Sequence, residues 1–287
     1  MHWPSLSHPG AIVWPVAGDS SRAAAAGYEV MARVALALGR EHRRYWHVTA
    51  TAGVVGAAVA AAIARGGDPV NAAAHAISVA GGSVLAVLEG SGTRVFHRVH
   101  AAEAGLRCAE GESLRATRRG LEGERGLFAA MGGDSTALLA GRERPAIVET
   151  SFRLWAATGF AHAAIEAAQE LAPIEDPSRI EIVLPGAGVE LASNPDPRTD
   201  DEAWWSVEYS VAVTLLGLDL EDRSLLDHPR VRTLIERTTL TGGEIARVTV
   251  DGRSAERTAP RAASDDDLVT KWRTLNPGAE PPLELLA

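Results

Sequence analysis

The residues best suited to chemistry in this sequence are two histidine-bearing stretches, His8-Pro9-Gly10 and His47-Val48-Thr49-Ala50-Thr51, together with Arg94 and Arg153. Imidazole titrates near neutral pH and is the natural group to take a proton from a carbon beside a carboxylate. Guanidinium stays charged at every working pH and grips a carboxylate through two parallel hydrogen bonds. Such a set suits a small carboxylated substrate, with His47 or His8 as general base or acid and Arg94 and Arg153 as anchors. Tyr209 is the candidate second proton donor or substrate hydrogen bond. Thr49 and Thr51 offer hydroxyls at the start of an apolar helix, where unpaired N–H groups favour an anion. Lys271 is the only lysine, so no lysine in the first 270 positions is available as a base or a Schiff-base former.

Each of these residues also has a plainer structural reading. His47 stands just ahead of an apolar helix and serves equally well as a structural side chain at its N-terminus. Arg94 and Arg153 read alternatively as surface arginines, and Tyr209, among apolar neighbours, as core. His162 falls within a helix and reads as packing or as a partner of the site. His97 and His100, three apart, invite a metal, but nearby Cys or carboxylate ligands are lacking, so a partly buried helix start is the stronger reading. No GxGxxG after a strand, P-loop, GxSxG elbow or HExxH occurs, and the expectation is neither metal nor cofactor. His75 and Cys108 read as ordinary helix residues, and the Trp204-Trp205 pair as packing.

The elements that must position these groups follow from pattern. With 46% hydrophobic, 23% charged and only 5% aromatic residues in 287, the chain is globular, and its abundant alanine favours helix. A net charge of −9 argues against a nucleic-acid partner or an anionic membrane surface. A single cysteine excludes an internal disulfide framework. The start of the chain shows no secretory signal and the longest near-apolar run, Ala52 to Ala64, is too short for a bilayer, which together point to the cytoplasm.

Ser20-Ser21 opens a helix from Arg22 to Leu38 that Gly39 closes. Thr49 to Ala64 is apolar all round and so predicts a buried helix. Asp68-Pro69 opens a helix from Val70 to Val79, Ala101 to Ala109 forms another short one, and Glu112 to Glu124 is charged and solvated. Beyond Pro145, Phe160 to Leu171, Glu202 to Leu216, Val231 to Arg237 and Asp265 to Leu275 read as helices. Arg179 to Leu184 and Ile245 to Val250 read as strands, with Asp251-Gly252 a hairpin turn into a further strand from Arg253. The expectation is a mainly α protein, with a large all-helical domain over residues 1–145 and a smaller α+β lid domain over residues 146–263. Residues 264–287 are expected to return to the first.

Four segments stand out in order: His8-Pro9-Gly10 with its apolar run, Gly27-Tyr28-Glu29-Val30 followed by His47 to Gly53, Phe96 to Gly105, and Ser151-Phe152-Arg153 with His162 to Ile165 and Glu202 to Ala212. Together they resemble the MmgE/PrpD family, which includes 2-methylcitrate dehydratase, cis-aconitate decarboxylase and an iminodisuccinate epimerase. The resemblance implies a large helical domain with a smaller α+β lid, a homodimer, and a metal-independent lyase of dehydratase or decarboxylase type, or an isomerase. It adds His97, His162 and Ser206 to the substrate-binding candidates. The chain departs from the pattern as well. Arg94 and Arg153 stand where the family has lysines, Val99 where it has a glycine, and Ala156-Ala157 where it has histidine or cysteine. An acidic segment that precedes HPG in the family has no counterpart in the seven residues before His8. The changes point to a substrate or step different from the typical one, in specialised metabolism. The alternatives are a non-catalytic carboxylate-binding or scaffold relative, and one half of a split enzyme whose missing helices come from another chain.

Overall fold

A computed structural model describes residues 1–117, 119–141, 143–186 and 188–281. The chain is mainly α-helical with a small four-stranded mixed sheet, and it divides into two compact units, Met1–Ser151 and Phe152–Ala287.

The first unit is helical: α1 (Gly10–Ala17), α2 (Ser21–Arg43), α3 (Val48–Ala64), α4 (Pro69–Ile77), α5 (Leu85–Leu88), α6 (Thr93–Glu110) and α7 (Leu127–Met131). Its centre is α3, whose residues from Val48 to Ala62 are all buried. A helix built of Ala, Val, Gly and Thr has no polar face to offer water, so it must be surrounded, and α1, α2, α4 and α6 pack around it. The small residues also let backbones approach. A Cβ on Gly56 would lie 2.6 Å from Met31 Cβ and 2.7 Å from the Gly27 carbonyl, which fixes α2 against α3. A Cβ on Gly105 would lie 2.4 Å from Ala57 Cβ and 2.7 Å from the Ala58 nitrogen, which fixes α6 against α3.

Helix starts follow the expected chemistry. The Ser20 hydroxyl accepts from the Ala23 N–H at the head of α2, and the Asp68 carboxylate accepts from the Val70 N–H at the head of α4, with Pro69 at the first helical position. Two boundaries differ from expectation. Gly39 does leave helical geometry, at φ 65° and ψ −160°, but the chain resumes a helical turn to Arg43. The helix expected from Ala101 begins at Thr93 instead.

In the second unit, α8 (His162–Leu171) follows a short 3-10 turn and precedes β1 (Ile180–Pro185). Then come α9 (Gly188–Ala192), α10 (Asp200–Trp205), α11 (Val207–Leu215), α12 (Pro229–Glu236), β2 (Thr238–Gly243), β3 (Ala246–Val250), β4 (Arg253–Arg257) and α13 (Asp265–Leu275). The sheet order is β2-β1-β3-β4, with β1 and β2 parallel and the other neighbours antiparallel. Ile180, Ile182 and Leu184 of β1 and Ala246, Val248 and Val250 of β3 alternate inward, and α8 lies across β3 and β4 with α11 packed on α8. Asp251 and Gly252 take φ of 47° and 85° in the hairpin, the sign that a two-residue primed turn requires. The Asp251 carboxylate accepts from the Ser178 N–H and hydroxyl and from the Arg179 N–H, tying the start of β1 to the turn.

β2 is a strand that pattern reading misses: Thr-Thr-Leu-Thr-Gly-Gly carries little apolar alternation and lies at the sheet edge, mostly exposed. The single helix expected over 202–216 is two helices, broken at Ser206.

Candidate functional site

The head of α3 carries three of the candidates of the first unit, His47, Thr49 and Thr51. His47 precedes the helix in extended geometry, and its backbone is held from both directions. Its N–H donates to the Gly82 carbonyl at 2.9 Å, and its carbonyl accepts from the Ala50 and Thr51 N–H groups at 2.8 and 3.1 Å. With the backbone fixed, the ring reaches α6, where His47 Nδ1 lies 3.0 Å from His97 Nδ1. The ring centroids are 5.2 Å apart at an interplanar angle of 43°. His97 is therefore not at a helix start but one turn inside α6.

Thr49, 1% exposed, holds His8, whose Nδ1 lies 3.0 Å from the Thr49 hydroxyl. Thr51 is fully buried and its hydroxyl donates to the Gly81 and His47 carbonyls at 3.3 and 3.4 Å. That side chain anchors the 81–82 loop to α3.

Arg94 and Arg98, one helical turn apart on α6, bring positive charge to the same place. Burial, then the neighbouring His97, then the charges of Arg98 and Arg94, push the His47 imidazole down to about 3, so it is neutral at physiological pH. Burial, and then His100, push His97 down as well. Arg98 is half-buried, is itself lowered by burial and by Arg94, and forms no ion pair among the described residues. Sequence reading passed over Arg98. The signal was present in the Arg94-x-x-x-Arg98 spacing, since like charges four apart on a helix repel and persist where something else requires them.

The second unit gathers a separate group. Arg153 lies over the Trp204 ring, 5.0 Å from its centroid, and Trp204 meets Trp205 edge to face at 5.0 Å. A guanidinium over indole is a favourable cation–π arrangement. His162, 1% exposed, packs edge-on against Trp155 at 5.2 Å. Burial first, and the Arg153 charge second, push His162 down to about 3. Arg153 and His162 are thus neighbours, whereas Tyr209, 3% exposed, sits in the hydrophobic core of this unit.

Ser206, fully buried, has its hydroxyl occupied by the backbone. It accepts from the Tyr209 N–H at 3.0 Å as the cap of α11 and donates to the Asn194 carbonyl at 2.7 Å. This capping is why two helices stand where one was expected. Ser206→Ala is expected to lower the stability of this unit by about 1 kcal/mol, the usual value of a lost cap. Urea unfolding measures it, and an unchanged midpoint would contradict the capping role.

Among the described residues, no three or more His, Cys, Asp or Glu side chains cluster closely enough to hold a metal ion, and no helix is long and apolar enough to cross a membrane.

No curated protein matches the chain. Residues 18–143 match the family model of the MmgE/PrpD N-terminal domain, a span that runs from just before α2 to beyond α7 and includes His47, Thr49, Thr51, Arg94, His97 and Arg98. Over this span, which holds the buried central helix and the histidine contact at its head, the chain is similar to the N-terminal domain of the MmgE/PrpD family.

Proposed function

We propose that the protein binds a small di- or tricarboxylate beside the first turn of α3 and acts on it by proton transfer, as a metal-independent lyase of the 2-methylcitrate dehydratase type or a related isomerase. The observation that carries this reading is the meeting of two imidazoles, His47 and His97, within the reach of Arg94 and Arg98. A carboxylate is the natural counter-charge for Arg98, which forms no ion pair among the described residues, and an imidazole held neutral is ready to accept a proton from the carbon beside that carboxylate. His8, positioned by Thr49 on the same turn, is the other candidate acid or base. The second unit, taken by itself, has Arg153 and His162 side by side as candidate carboxylate-binding groups, Ser206 as the cap of α11 and Tyr209 in its core. The reading takes the protein to be a cytoplasmic homodimer, the dimer being what the family resemblance implies.

Thermal unfolding in citrate, cis-aconitate and methylcitrate tests this, with turnover followed by the ultraviolet absorbance of the conjugated product. The expected result is stabilisation and turnover by at least one of the three, both lost in His47→Ala while the variant stays folded. Stabilisation by none of them would overturn the ligand class. Arg94 and Arg153, at positions where the family has lysine, cannot act as bases, and this favours a second reading as a carboxylate binder without activity. Stabilisation without turnover of any of the three is the result that would select it.

A further inference from the structure

The Nδ1–Nδ1 contact between His47 and His97 has a strict chemical consequence. At 3.0 Å the two nitrogens are at hydrogen-bond distance, and between two neutral imidazoles only one of them can carry the proton. One ring is therefore the Nδ1–H tautomer with a bare Nε2, and the other is the Nε2–H tautomer with a bare Nδ1. The contact thus makes the two outer nitrogens opposite in kind, one a base and one an acid.

We propose that His47 and His97 work as one acid–base unit, presenting a basic Nε2 on one ring and an acidic Nε2–H on the other to the carboxylated substrate. The inference rests on the ligand class proposed above. In a dehydration, the basic Nε2 takes the proton from the carbon beside the carboxylate and the C–H electron pair becomes the new C=C bond. The bridging proton passes from one Nδ1 to the other. The second ring gives its Nε2–H proton to the departing hydroxyl, which leaves as water when the C–O bond breaks. No oxidant, reductant or further reactant is needed. Both rings end neutral with their tautomers exchanged, and proton exchange with water at the two Nε2 atoms, with the bridging proton passing back between the Nδ1 atoms, restores the first arrangement. For an isomerisation, the same two nitrogens remove a proton from one face of a carbon and return one to the other.

The surroundings favour this route over a single histidine acting alone. Among the described residues, the charged and titratable groups about the pair include Arg94, Arg98 and His100 on α6, and His8 ahead of α1 by way of Thr49. The Gly82 loop, whose carbonyl holds the His47 backbone, brings no charge. Imidazolium beside two guanidiniums is costly, and a relay that keeps both rings neutral avoids it. His97 is thus assigned a role in the proton path, which sequence reading gave to substrate binding.

Long-range 1H–15N spectra of the full chain with 15N-labelled histidine test the pair without any substrate. At pH 7 the expected result is two neutral rings of opposite tautomer, with a scalar coupling across the Nδ1–H···Nδ1 bridge. The coupling should vanish in His97→Gln and in His47→Gln, which also assign the signals. Two Nε2–H tautomers, an imidazolium on either ring, or absence of the coupling would overturn the proposal. With saturating citrate, both Nε2 signals should shift, and a shift on one ring alone would also overturn it. Failure of citrate to bind at all strikes the ligand class and not the pair, which the coupling decides by itself.

Discussion

Alanine in place of Gly105 is expected to destabilise the first unit by about 1–3 kcal/mol, the usual cost of overpacking a close contact. The sign is what makes this informative. At an unconstrained helical position the same change stabilises by about 1 kcal/mol, because alanine is the better helix former. Here the added methyl would fall 2.4 Å from Ala57 Cβ and 2.9 Å from the Ala57 carbonyl carbon. Neither neighbour is the end of a flexible side chain, and α3 is enclosed on all sides and cannot retreat. The only relief is for α6 to move outward, which would part His97 from His47. Urea unfolding followed by far-ultraviolet circular dichroism gives the stability change. A Gly105→Ala protein as stable as the parent would mean that α6 and α3 are not in the close contact described.

Arg98→Ala is expected to weaken citrate binding about 10- to 100-fold, which corresponds to the loss of about 1.5–3 kcal/mol from a charged hydrogen bond. The half-buried Arg98 forms no ion pair among the described residues, so its truncation leaves no carboxylate of the protein stranded. The whole effect should then appear in ligand affinity and little in stability. Arg98→Lys keeps the charge but loses the planar fork, and should fall between the two. Titration calorimetry measures all three, and alanine and arginine proteins of equal affinity would remove Arg98 from the site.

The sequence was most legible where one residue dictates one geometry. Ser20, Asp68-Pro69 and Asp251-Gly252 each had local chemistry that allowed little else, and each stands where it was expected. The buried helix was equally plain, since nothing between Val48 and Ala62 could face water. Legibility failed where tertiary context overrides pattern. The first turns of α6 leave Val95, Phe96 and Val99 exposed, so the apolar periodicity that marks a helix is absent there. β2 is recognised as a strand only by its partner β1. Ser206 breaks a helix through a hydroxyl bond to Asn194, twelve residues earlier, and nothing local announces that.

The candidate site shows the same division. The types of His47, His97 and Arg94 suggested proton transfer and carboxylate binding, but their meeting depends on how α6 crosses α3. No spacing within either segment states that His97 faces His47 or that Arg98 lies beside them. The family-model match covers residues 18–143 and so includes both histidines, while the pairing of the two rings comes from the geometry alone.

The enclosure of α3 bears on how such a protein diversifies. One wall of the candidate site, Thr49 and Thr51, is also structural core, so almost any change there disturbs the whole unit. The opposite wall, residues 94 to 98 of α6, borders solvent and can vary without touching that core. New ligand preferences in related chains should therefore arise by drift along α6, against a nearly invariant α3.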